Sequence, residues 1–339
     1  MTTNAALPVV SESVSESATA PTAFEAAAAS PRVRPEVLTA FRKHTASVLA
    51  GVFAGSAFDQ VALVPVAAAV DRSGRFAANF ADRGVRSGAS GILALWADPV
   101  DRKAEAEWLK ERHRDVHGRG KGAYEDVRYS ALDPKTWIWI GVSGMFVPLN
   151  TFTFCTGIEL RPEEREAAYQ MVRETFAHLE LPSQAGKLPA DLASATEYYD
   201  HMVEHELAAN PFLREKYAAL TRLPLPTLGI PPAARVLLLP LWMLIRPLIG
   251  HIIQVCSAQA MHPGVRRMTG FELTRRHDLE FAVYVRVLQT AWKILPDRLL
   301  LAPLAYNRLR YEKLVRSHRR VALDTFAAPP LPFSGGCPV

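Results

Sequence analysis

Three groups of residues in this 339-residue chain have the types and spacing to do chemistry. Arg83, Arg86 and Ser87, in DRGVRSG, stand at i, i+3 and i+4, so on a helix they share one face. Two guanidiniums and a hydroxyl there can pair with carboxylates, such as haem propionates, or steady bound oxygen. A solvated or salt-bridged helix surface is the plainer alternative. His113 and His117, in ERHRDVHG, also have helical i, i+4 spacing. Neutral imidazole is the commonest metal ligand, and a single histidine is the usual proximal ligand of haem. The pair lacks the third ligand of an HExxH zinc site, and histidines at a helix end also complement the dipole. His201 and His205, in EYYDHMVEHE, repeat the spacing among Glu197, Asp200, Glu204 and Glu206. With ligands from other helices they would suit zinc or carboxylate-rich iron; an exposed charged helix is the simpler account.

The elements that must position these residues read as helices. A helix is expected over Val33–Ala54, entered at Pro35. Asp98-Pro99 opens a charged helix that runs through His113 and His117 to Gly118, placing both histidines on one helical face. Gly118 to Gly122 is a basic, glycine-rich loop. Asp133-Pro134 starts the apolar WIWIGVSGMFVPLNTFTF, with Asp133 as its cap. Arg161–Leu179 has proline and then acidic residues in its first turn, which suit the missing N–H and the helix dipole. Thr196–Leu207, Phe212–Leu220, Leu279–Ile294 and Leu299–Val321 complete the series. TWIWI and TFTF have strand-like composition, but they are short and isolated, so buried helix is expected. No alternating runs bounded by hairpin turns and no internal repeats occur. The fold class is therefore all-α: a single multi-helix globular domain over residues 32–323. Residues 1–31, mostly Ala, Ser, Thr, Glu and Pro, read as a tail too poor in apolar groups to offset its ordering entropy. Residues 324–339 read as a loose C-terminal segment.

Composition narrows the function classes. Hydrophobic residues make up 49% and charged residues 22%, an ordinary globular balance. The net charge is only +5, and basic residues interleave with acidic ones, which argues against a nucleic-acid partner. Cys155, Cys256 and Cys337 form neither a disulfide framework nor a zinc signature and suit a reducing compartment. The first basic residue is Arg32, so the start lacks the positive region of a secretory signal, and a cytoplasmic location is the default expectation. Val236–Ile245 (VLLLPLWMLI) is strongly apolar, but Arg246 falls near the middle of the longer stretch, beside Pro240 and Pro247. A buried core helix, or two helices broken by the prolines, is expected there, with peripheral membrane contact left open.

Taken in order, several pieces carry a resemblance. They are Arg83-Gly-Val-Arg86-Ser87, His113-Arg-Asp-Val116-His117-Gly118, Tyr129-Ser-Ala131-Leu-Asp133-Pro134 and Trp139-Ile140-Gly141. The series RxxRS, HxxVxG, YxAxDP and a Trp-led apolar helix resembles the MpaB-type oxygenase family, which includes the catalytic domain of rubber oxygenase (latex clearing protein). The resemblance implies a helical fold, globin-like in enclosing a b-type haem between helices, with His113 as the axial iron ligand. It places Arg83, Arg86 and Ser87 near the haem on the oxygen side, where they serve the propionates or the oxygen, while His117 either orients the haem edge or simply faces solvent. It implies dioxygen and a small apolar substrate, isoprenoid in characterised relatives. The helices around Trp137–Phe154 and Val236–Ile253 would line its pocket or simply form core. Tyr129 is expected to anchor a loop. The chain departs from the family pattern at His117 (usually arginine), Ser87 (threonine), Arg86 (lysine in the best-known relatives), and Gly141 and Val64 (often histidine). Those departures keep open a non-catalytic helical protein that binds a lipid or a partner. A non-haem metal enzyme built on His201 and His205 is the third reading.

Overall fold

The computed structural model describes residues 22–74, 80–227 and 230–326. Most of the expected tail, residues 1–21, and most of the expected C-terminal segment, residues 327–339, lie outside the described residues. Fifteen α-helices occur among the described residues. They are α1 (Ala23–Ala28), α2 (Pro35–His44), α3 (Asp59–Ala62), α4 (Val64–Ser73), α5 (Phe80–Trp96) and α6 (Pro99–Arg114). A two-stranded antiparallel sheet follows, β1 (His117–Arg119) and β2 (Arg128–Ser130). Then come α7 (Pro134–Thr156), α8 (Pro162–Phe176), α9 (Leu192–His201), α10 (Pro211–Ala218) and α11 (Pro232–Ala260). The series closes with α12 (Pro263–Thr269), α13 (Arg275–Ile294), α14 (Asp297–Leu300) and α15 (Pro303–Phe326).

Helix α7 is the axle. Asp133 Oδ1 accepts the Thr136 N–H at 3.2 Å, and Pro134 supplies a first residue with no N–H to satisfy. Gly157, at φ +75°, ends the helix in the left-handed region and donates its N–H to the Thr153 carbonyl at 2.8 Å. Between these ends Trp139, Val142, Met145, Leu149 and Phe152 are buried at helical spacing, so the strand-like TWIWI and TFTF segments are helical as expected. Helices α2, α8, α9 and α13 pack round it, with Phe41 edge-on to Phe152 at 5.5 Å.

Four expectations need correction. The helix expected over Val33–Ala54 stops at His44, and a 3₁₀ segment occupies Val48–Phe58, capped by Ser47 Oγ on the Leu49 N–H at 3.2 Å. That segment approaches α11 so closely that a Cβ on Gly55 would lie 2.7 Å from Ser257 Oγ. Residues 22–31 are not all tail, since α1 forms there with a Thr22–Glu25 capping box. The helix docks through Phe24, Ala27 and Ala28 on Val33, Leu38 and Ala167. Its stability comes from this tertiary contact, which composition does not reveal. The stretch from Val236 is neither buried nor broken: Pro240 and Pro247 lie inside one 29-residue helix, α11, buried only towards its C-terminal end. The fourth correction concerns His113.

Candidate active site

His113 lies in the last turn of α6, which ends at Arg114, four residues before Gly118. Asp115 caps the end, and His117 starts β1, paired with Ser130 and exposed. His113 and His117 therefore do not share a helical face. The sequence signal for a strand is only three residues on each side, below what alternation can report. The register explains the motif spacing: Gly118 pairs with Tyr129 and Arg119 with Arg128, so the chain leaving α6 is tied to the chain entering α7. Gly118 has φ +151°, and a Cβ there would lie 3.3 Å from the Tyr129 hydroxyl. The Tyr129 side chain thus lies over Gly118, and Asp133 caps α7.

The His113 ring is held from two sides. Nδ1 lies 2.7 Å from the Leu109 carbonyl, so that nitrogen carries the proton and Nε2 keeps its lone pair. The ring stands edge-on to Trp137, centroids 5.5 Å apart at 73°. Trp137 is fixed in turn by its Nε1–H, which donates to the Leu179 carbonyl at 2.6 Å. Lys110 secures the same segment by donating to the carbonyls of His178 (2.7 Å) and Glu180 (2.8 Å). A histidine whose Nδ1–H is bonded to a carbonyl has the tautomer and orientation that a metal ligand needs. Sequence reasoning named Trp137 only at the start of a helix that would line a pocket or form core, not as a partner of His113.

Helix α5 carries Arg83, Arg86 and Ser87, all three exposed. It forms a hairpin with α6, in which the Ser90 hydroxyl donates to the Glu105 carboxylate. Its far end is secured by Trp96, buried, with Nε1–H donating to Thr45 Oγ at 3.0 Å and Arg42 over the ring at 4.5 Å. Beyond Gly84, Gly88 and Gly91 nothing lies within 4 Å of where a Cβ would be. These glycines lie about 100° round the helix from Arg83, Arg86 and Ser87, on the neighbouring side of α5.

A cavity of about 690 Å³ lies elsewhere, lined by Ile138, Leu188 and Met202 with Lys135, Arg173 and His201 among its polar residues. None of Arg83, Arg86, Ser87, His113 and His117 lines it, and no residue of α11 does. His201 and His205 stack at 4.6 Å and 22°, both exposed, with His205 Nδ1 3.1 Å from the His201 carbonyl. Among the described residues no third ligand gathers with them. One group of three does form: ligand atoms of His251, His277 and Glu280 lie within 4.8 Å of one another. It is already engaged. His251 Nε2 lies 2.6 Å from Glu280, Arg276 donates to Glu280 at 2.7 Å, and His277 Nδ1 accepts the Thr274 N–H at 3.2 Å. The Nδ1 lone pair of His277 is thus committed to the helix cap.

Two buried titratable groups flank α7. Asp59 accepts the Tyr199 hydroxyl at 2.8 Å on Oδ2, while Oδ1 has no partner among the described residues. Burial pushes this carboxyl up to about 7. His44, also buried, lies 3.0 Å from Thr151 Oγ through Nε2, and burial lowers it to about 4. Thr151 donates its own proton to the Val147 carbonyl, so His44 is the donor to Thr151. The one acidic residue in the apolar run from Val48 to Val70 was the available signal for Asp59.

No curated protein and no solved structure matches this chain. A family model does: ER-bound oxygenase mpaB/B'/Rubber oxygenase, catalytic domain, over residues 40–290. That span takes in the α5–α6 hairpin, the strand pair and α7, and the chain belongs to the mpaB/rubber oxygenase catalytic-domain family.

Proposed function

We propose that the protein is a haem-dependent oxygenase in which His113 holds the iron and the substrate is apolar, with isoprenoids as the leading class. The carrying observation is the 2.7 Å contact of His113 Nδ1 with the Leu109 carbonyl, which leaves Nε2 as the ligating atom. Helix α5 supports the same reading: its glycine side leaves room for a flat group, and Arg83 and Arg86, on the neighbouring side, supply cations for carboxylates at that group's edge. Haem, when bound, would supply dioxygen activation for oxidation of the substrate. The residues of the chain have simpler tasks. His113 ligates, the Leu109 carbonyl and Trp137 orient it, Arg83 neutralises ligand carboxylates, and Arg86 and Ser87 offer hydrogen bonds on the oxygen side. His117, exposed in β1, is left the role of an edge contact.

The test is an absorption spectrum of protein expressed with haem precursor, beside His113→Ala. A Soret band in the wild type that is lost in a variant with unchanged helical circular dichroism supports the proposal. A variant with full haem content, or a folded wild type that takes up no haem, refutes it.

A further inference from the structure

The N-terminal half of α11 is an apolar helix with little protein around it. Val236, Leu237, Leu238 and Leu239 are 74, 80, 40 and 47% exposed. Successive helical residues step about 100° round the axis, so this exposure is not one stripe. Leu244 and Leu248, at 78 and 61%, carry the same surface onward. Among the described residues cover comes from the side of Trp242, half-buried, whose Nε1–H donates to the Leu223 carbonyl at 2.8 Å. The other end of the helix is locked in protein: Gly250 is buried, and a Cβ on it would lie 2.1 Å from the Leu220 carbonyl oxygen. Exposed patches on monomers rarely exceed roughly 300–600 Å² without marking an interaction site.

We propose that residues 236–248 of α11 seat in the headgroup–acyl boundary of an anionic lipid bilayer, entering one leaflet without crossing. A packed helix presents a stripe of roughly 100° to a protein partner, and the exposure here is far wider, which suits a fluid apolar surrounding. The whole 29-residue helix is long enough to cross a bilayer, but its far end is locked in protein, and the thirteen residues left rise only about 20 Å, against a hydrocarbon core of about 30 Å. Pro240 and Pro247 lack the N–H groups that the carbonyls of Val236 and Met243 would otherwise receive. Those carbonyls need water or headgroups, which the interface provides and the bilayer centre does not. Charge selects the lipid. From Lys216 to Phe271 the chain has no Asp or Glu but six Lys and Arg residues; Arg246 lies half-buried within the exposed segment, and Arg235, just before it, is half-buried and donates to the Ile230 and Thr227 carbonyls at 2.8 Å. Basic residues beside an inserted apolar face are drawn to anionic headgroups.

This inference stands apart from the haem reading, and its test needs no turnover. Full-length protein is floated with vesicles of phosphatidylcholine alone or with added phosphatidylglycerol, beside the double variant Leu237→Glu, Leu244→Glu. Both positions are so exposed that the variant should fold, and circular dichroism checks that it does. The wild type should float with the phosphatidylglycerol vesicles, more weakly with phosphatidylcholine, and the variant should lose at least about tenfold in partitioning. A wild type that stays with the soluble fraction, or a variant that floats equally well, overturns the proposal. Light scattering that shows a lipid-indifferent dimer dispersed by the variant would reassign the surface to a second copy and overturn it as well.

Discussion

Replacing Asp59 with asparagine should separate two buried titrations that oppose each other in the native protein. The Asp59 carboxyl holds its proton up to about 7 in the folded state, against an ordinary 3.8. Between those values the unfolded chain binds fewer protons, so this group's stabilisation falls as pH rises from about 4 to 7, in total on the order of 4 kcal/mol. His44 runs the other way. The unfolded ring protonates below 6.5, and the folded ring stays neutral down to about 4. Its stabilisation is present above 6.5 and is lost as pH falls towards 4, on the order of 3 kcal/mol. Between pH 4.5 and 6.5 the two slopes nearly cancel. Asparagine keeps an acceptor for the Tyr199 hydroxyl but cannot ionise, so the variant should show the His44 slope alone. Urea unfolding followed by tryptophan fluorescence at pH 4.5, 6.5 and 8 measures this directly. The difference between variant and wild type should move in the variant's favour by about 1.4 kcal/mol per pH unit up to pH 7, then level off. All other carboxylates are common to both proteins and drop out of that difference. A difference that stays constant from pH 4.5 to 8 would refute a neutral, buried Asp59.

Other outcomes follow from particular contacts. Trp137→Leu removes both the edge contact to His113 and the Leu179 hydrogen bond, and should weaken haem binding about 10-fold or more in a titration, with secondary structure unchanged. Gly118→Ala puts a Cβ at φ +151° against the Tyr129 hydroxyl and should cost about 1–3 kcal/mol, read as a lower melting temperature. Gly250→Ala forces a Cβ into the Leu220 backbone and should cost about 1–3 kcal/mol or more in urea unfolding. Glu164, held down to about 2 chiefly by its hydrogen bond from Arg34, stabilises above 4.5 and loses that contribution as pH falls towards 2. Glu164→Gln should accordingly flatten the acid limb of a melting profile.

Helices with local signals were legible in the sequence. Pro134 behind Asp133, and Pro162 ahead of Glu163 and Glu164, mark starts that depend on a residue and its near neighbours alone. What escaped the sequence depends on partners far along the chain. Helix α1 exists because Phe24 and Ala27 meet Ala167, and after α2 the chain is tied to a distant segment, with Ser47 bridged to Leu301 and the Ala46 carbonyl accepting the Ala302 N–H at 2.9 Å. The strand pair escaped because three residues on each side carry no period, although it sets the spacing of the HxxVxG and YxAxDP pieces. The apolar run in α11 was recognised, but hydropathy alone does not distinguish a helix wrapped by protein from one left bare. Of the candidate site, His113 was named for its place in a motif, whereas the contacts that hold its ring are a carbonyl one turn back and an indole from the next helix.

The motif residues therefore divide by task. Gly118, Tyr129, Asp133 and Pro134 build a short mechanical link between the end of α6 and the start of α7, and the two groups flanking His113 sit at either end of that link. Leu109 belongs to α6 and moves with His113, while Trp137 belongs to α7 and does not. A loosened link should thus spare the Nδ1 bond and disturb the ring against the indole. In Tyr129→Ala, His113 should keep its tautomer yet lose its fixed orientation, so haem would still bind, but in a mixture of ligation states. A spectrum in which the variant's Soret band is weaker and broader, while His113→Ala has none, is the expected result. A Tyr129→Ala band identical to the wild type would mean that α6 alone orients His113 and that the strand pair is a passive connection.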